Sequence, residues 1–170
     1  MDCDDISIEK RRIRMNFKIK NIHLNMLIQV LDSLELNFKE SRMRTRFMRM
    51  LSKYDQEILY PEKLAIMEEY CTRSKEDNRP LFSDKEKGIY LFEDPENEEK
   101  AKKELADLLE EEFILPCDES NKMMFLSVAN SFINDEEFKV SGAYADIIDD
   151  FYTQFENVIQ FYEEDVEEQN

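Results

Sequence analysis

Turn-forming residues are scarce in this sequence: 170 residues include 2 Gly and 4 Pro, and tryptophan is absent. So few of them exclude the many tight connections of an all-β fold, and the wealth of Leu, Met, Glu and Lys favours helices. Histidine occurs once, at His23 in the first turn of an expected helix, where it reads as a surface or capping residue. That leaves no histidine-rich metal site and no ordinary Ser-His or Cys-His relay. Cys3, Cys71 and Cys117 have no CxxC spacing and are odd in number, so they read as free thiols of a reducing cytoplasm rather than a disulfide framework. No apolar run approaches the roughly 18–20 residues of a membrane span, and the N-terminus has no signal-peptide apolar region.

Charge, by contrast, is plentiful and uneven. The formal net charge is −17, which makes bare nucleic acid a poor partner for the surface as a whole. Residues 1–53 nevertheless carry 12 Lys/Arg against 7 Asp/Glu, whereas residues 54–170 carry 11 against 33. Such segregation implies self-complementary packing or a bipolar docking surface. With 12 Phe, 7 Tyr and periodic apolar runs, the chain has enough to bury to fold despite its charge.

The residues divide into an N-terminal appendage (1–14), one mainly helical α+β domain (15–162) and an acidic tail (163–170). Glu9–Arg14 before Met15 also reads as a translated ribosome-binding site, which keeps initiation at Met15 open beside a short basic arm. Asn16–Lys20 alternates like a half-buried strand, and Asn21 is placed to cap a helix bearing Leu24, Leu27, Leu31 and Leu34. Next comes a basic helix from Lys39 to about Tyr60, where Pro61 kinks it or opens another. A polar turn at Ser74–Asn78 leads to a hairpin of Pro80–Phe82 and Ile89–Phe92, with Gly88 free for a left-handed position. Asp94-Pro95 opens a helix buried through Ala101, Leu105, Leu108 and Leu109, and Phe113–Leu115 is a further strand. Asp118 or Ser120 caps the next helix. The last follows Ser141-Gly142, with Tyr144, Ile147, Ile148, Phe151, Phe155 and Val158 inward and a frayed end beyond Tyr162.

The two ends of the domain can be laid on each other. Leu27, Val30 and Leu34 fall on Phe125, Val128 and Phe132; then Phe38, Phe47 and Leu51 fall on Phe138, Ile147 and Phe151. Residues 15–60 and 113–162 would thus be a strand-helix-turn-helix duplication about a pseudo-two-fold, with 61–112 inserted as helix-hairpin-helix. In this alignment Arg46 meets Asp146 and Arg49 meets Asp149, so the basic face has a possible neutralising partner inside the fold.

Three surfaces could carry function. Arg42, Arg46, Arg49 and Lys53 share one side of the basic helix and, with Arg44, could bind phosphates, with Phe38, Phe47 or Tyr54 stacking on bases. Alternatively, that face pairs internally or docks on an acidic protein. In the last helix Asp146, Asp149, Asp150 and Glu156 point outward, and negative rows at helical spacing imitate nucleic acid before a basic channel. Tyr144, Tyr152, Phe161 or Tyr162 beside them could supply apolar grip. Acidic neighbours such as Asp149-Asp150 or Glu110-Glu111-Glu112 could hold Mg²⁺, but on helices they read as solvated faces. With no Gly-rich phosphate loop and no nucleophile elbow, the expectation is a non-enzymatic protein without cofactor or metal.

The run NFKIKNIHLNMLIQVLDSLELNFKESRMRTRF (residues 16–47) resembles a family of uncharacterised small proteins of phages and prophages of Gram-positive bacteria. The segment KEDNRP also resembles their K-D-E-D-G-x-P turn, with Asn78 standing where Gly is usual. The likeness covers about residues 15–115 and implies a phage origin. The expected role is therefore an accessory protein in the host cytoplasm that antagonises a host or defence protein with a basic surface. A virion tail or assembly component, RNA binding through Arg42–Lys53, and homo-oligomer formation are the alternatives.

Overall fold

The structure, a computed structural model, describes residues 15–135, 139 and 141–167. The proposed appendage 1–14, Cys3 and the aligned Phe138 lie outside the described residues. The order is β1 (Asn16–Lys20), a 3₁₀ turn (Asn21–His23), α1 (Leu24–Ser33), α2 (Phe38–Tyr54), a π-helical turn (Asp55–Leu59) and α3 (Tyr60–Tyr70). It continues with β2 (Phe82–Asp84), β3 (Ile89–Tyr90), α4 (Pro95–Glu110), β4 (Glu112–Pro116), α5 (Lys122–Ile133), a 3₁₀ turn (Gly142–Tyr144) and α6 (Ala145–Glu167). This is the mainly helical α+β domain expected, with two small antiparallel sheets, β1-β4 and β2-β3.

Phe17 sits at the centre. Its alternation with Lys18 and Ile19 turns one face of β1 inward, and there it meets Phe47 of α2 edge-on at 5.6 Å, Phe125 of α5 at 5.9 Å and Phe155 of α6 at 5.0 Å. All four rings are fully buried, so one strand and three helices share a single aromatic nucleus. β1 pairs with β4 in the register Phe17↔Leu115 and Ile19↔Phe113, which places both apolar sides of the ribbon on the core.

The order strand-helix-helix recurs in β1-α1-α2 and β4-α5-α6, and the two strands pair antiparallel. The anticipated charge contact between the halves does not form: among the described residues no ion pair joins Arg46 or Arg49 to Asp146 or Asp149.

Several local expectations change. Asn21 does not cap α1; it is buried, its side-chain N–H donates to the Leu108 carbonyl at 2.8 Å, and its backbone N–H to Glu111 O at 2.8 Å. It therefore ties the end of β1 to the end of α4. The start of α2 has the capping box the sequence hides in N-x-x-E: Asn37 accepts from the amides of Lys39 and Glu40, and Glu40 accepts from Asn37 N–H. Asp118 organises the turn before α5 by accepting from Ser120 Oγ and Asn121 N–H; Asn121 holds the cap position, its side chain donating back to Pro116 O at 3.4 Å and not capping the helix. Tyr144 is 51% exposed rather than inward. α6 runs on to Glu167, past the end expected near Tyr162.

Pro61 sits in the first turn of α3, as one of the two readings of its missing N–H had it, and the helical path runs on through it. Proline removes an N–H and crowds the carbonyl four residues back; here Asp55–Leu59 widens to the π pitch, Tyr60 N–H donates to Asp55 O, and α2 and α3 form one rod. The extra residue rotates everything downstream by about 100°. As a result the solvent stripe Arg42, Arg46, Arg49, Lys53 continues as Glu57, Pro61, Ala65 and Glu69, all exposed, on the same side.

In the hairpin region the strands are shorter and shifted, β2 starting at Phe82 and not at Pro80. Gly88 takes φ +68 as expected, and Asn78 takes φ +56. Asn tolerates the left-handed region better than other non-Gly residues, which explains how it fills the place of glycine in the turn.

Candidate functional site

The basic row splits into two kinds of arginine. Arg44 turns back onto α1: its Nη1 donates to the carbonyls of Leu34 at 2.6 Å and Leu31 at 3.3 Å, and its Nη2 to Ser41 Oγ at 3.3 Å. These are the carbonyls a helix C-terminus leaves unsatisfied, and a cation suits that end of the dipole. Arg44 is a structural cap. Arg42, Arg46 and Arg49 are exposed and have no ion pair among the described residues, while Lys53 reaches Glu57 at 3.8 Å. Of the aromatics offered for base stacking, Phe47 is wholly buried and Tyr54 stacks on Phe113 at 4.0 Å. Only Phe38, 81% exposed, is free to stack.

On α6, Asp146, Asp149, Asp150 and Glu156 all face solvent, as their spacing implied, and no ion pair engages them among the described residues. Asp150 adds weakly to the raised pKa of Lys20, whose main cause is its hydrogen bond to Glu110 at 2.6 Å. Tyr152 is half-buried against Phe132, with its hydroxyl donating to Ile133 O at 3.4 Å. Tyr162 is buried and donates to Asp118 O at 2.9 Å. Both tyrosines hold α6 to the core, and Tyr144 is the aromatic exposed beside the acids.

A third surface was not anticipated. An open groove of about 390 Å³ runs between α3 and α4, floored by Ile66 and Leu108 and rimmed by Glu62, Glu69, Glu104, Asp107 and Glu111. Glu104 accepts a short hydrogen bond from Tyr70, which pushes that phenol up to about 12. Tyr54 is raised as well, chiefly by burial, with Glu62 and Glu111 contributing. The sequence signal was the seven-residue spacing of Glu62/Glu69 and Glu104/Glu111, two helical turns on each wall.

Among the described residues no group of three or more His, Cys, Asp or Glu could hold a metal ion. Cys71 and Cys117 are buried free thiols, and burial pushes Cys117 up to about 11, away from nucleophilic use. No described helix is long and apolar enough to cross a membrane. Residues 15–161 match a family described as "Protein of unknown function (DUF1617)". The chain belongs to this family. No curated protein and no solved structure matches it. The DUF1617 match spans β1 through most of α6, so the aromatic nucleus, the basic stripe, the groove and the acidic face all fall within the family's extent.

Proposed function

We propose that this chain is a non-enzymatic phage accessory protein that binds and antagonises a host or defence protein whose nucleic-acid-binding surface is basic. The observation that carries the reading is the outer face of α6, where Asp146, Asp149, Asp150 and Glu156 are exposed without an ion-pair partner among the described residues. Adding Glu163 and Glu164, six exposed carboxylates lie along residues 146–164, or one per about 5.4 Å at helical rise. One strand of B-DNA carries one phosphate per about 3.4 Å. The helix is a sparser negative row than a DNA strand but of the same sign along its length, which is what steers a basic channel. Tyr144 at its start supplies apolar contact area.

Capture from host lysate on the immobilised chain, followed by a salt step, tests this. The reading expects a nucleic-acid-handling protein that high salt releases and that competes with DNA or RNA for the chain. Recovery of the chain in purified virions, with no salt-released host protein, would point instead to assembly.

A further inference from the structure

We propose that two copies of this chain associate antiparallel along the α2–α3 rod, the basic row of each lying on the acidic α3–α4 groove of the other. The inference uses none of the α6 carboxylates and so stands apart from the partner-binding role. Its basis is that both signs of charge are exposed along one continuous helical run, positive at Arg42, Arg46, Arg49 and Lys53 and negative at Glu57, Glu62 and Glu69. A stripe with this polarity is complementary to itself when turned end for end.

The register is specific. Arg42 and Arg49 are seven residues apart, and so are Glu62 and Glu69. A two-fold axis between residues 55 and 56, at the start of the π-helical turn, sets Arg49 against Glu62 and Arg42 against Glu69 of the other copy. Each pair spans about 10.5 Å along its helix, so both contacts are met at once. Asp107 and Glu111 on the far wall widen the negative side. Near the axis, where an interface needs an apolar centre, Ile58, one turn before Glu62, is 47% exposed. The π-helical turn is what brings the two halves of the stripe onto one side. A nucleic acid fits this stripe less well, because a duplex laid on the arginines meets the carboxylates of α3 within the same rod.

Sedimentation velocity of wild type, of the arginine variant (Arg42→Glu with Arg49→Glu), of the groove variant (Glu62→Lys with Glu69→Lys) and of an equimolar mixture tests this. Wild type should dimerise at low salt and dissociate at about 0.5 M salt. Each variant alone should weaken self-association by about tenfold or more, since both contacts become like-charged. The mixture should recover a dimer, because every contact then joins opposite charges. Recovery in the mixture also shows that the variants are folded, and far-UV circular dichroism checks each one alone. A wild type that stays monomeric at low salt up to about 200 μM, or a mixture that stays monomeric, overturns the proposal. So does tight binding of single-stranded RNA to the arginine row without self-association.

Discussion

Arg44 Nη1 lies 2.6 Å from the Leu34 carbonyl, so an arginine of the most basic helix serves as the C-terminal cap of the helix before it. Its neighbours Arg42, Arg46 and Arg49 have no ion pair among the described residues. The same residue type, two to five positions away, is thus structural in one place and available for association in the others.

The first prediction separates them. Arg44→Ala removes a charged donor from partly buried carbonyls and should cost about 1.5–3 kcal/mol in urea unfolding. Arg46→Ala, on the solvent side, should stay within about 0.5 kcal/mol of wild type. Equal losses would contradict the cap assignment.

The aromatic nucleus gives the second. Phe47→Ala deletes a fully buried ring that meets Phe17, Phe125 and Phe155, and should destabilise by about 3–5 kcal/mol. Phe38→Ser, at an exposed site on the same helix, should be close to neutral in the same assay.

Alkaline pH supplies the third. Tyr90 is buried and donates to Glu68, and Tyr70 donates to Glu104; both phenols are pushed up to about 12 from an ordinary value near 10. Below about 10 the phenols are neutral in folded and unfolded chains, so their stabilising effect is fully present. As pH rises from 10 through 12 the unfolded chain releases protons first, and stability should fall. Absorbance at 295 nm should show two phenols titrating near 12, and Tyr70→Phe with Tyr90→Phe should remove them and flatten the loss. Titration of every phenol near 10 in folded protein would contradict the two hydrogen bonds.

Thiol chemistry supplies the fourth. Burial of Cys117 against β1 keeps its proton on to about 11, and Cys71 is raised by burial too. In a Cys3→Ser background, a disulfide reagent at pH 8 should modify neither thiol in native protein and both after denaturation. Fast reaction of the native chain would show that the core opens.

Where periodicity was strong, the residues read clearly: β1, the inward rows of α5 and α6 and the Asp94-Pro95 start of α4 follow from spacing and cap chemistry alone. The acidic face of α6 was legible for the same reason, because one side of an amphipathic helix has nowhere else to go. What escaped depends on distance in space. Asn21 looks like a cap in sequence, but pairing of β1 with β4 carries it beneath α4. Tyr152 and Tyr162 look like surface aromatics among acids, but their hydroxyls find backbone carbonyls of α5 and of the turn before it. The groove needed α3 and α4 side by side before Glu62/Glu69 and Glu104/Glu111 could face one cavity. Pro61 suggested a kink or the first turn of a new helix; the first turn of α3 is its place, and only the π pitch upstream shows how the helical path runs on into it.

The account stands on charge that the fold leaves unneutralised being used for association. Its most direct test is affinity capture of a salt-released host protein by wild type beside Asp146→Lys, Asp149→Lys, Asp150→Lys and Glu156→Lys combined, with Arg42→Glu and Arg49→Glu combined as the control. The account predicts that reversing the α6 face abolishes capture with the circular dichroism unchanged, while the α2 control still captures. Undiminished capture by the α6 variant would contradict it.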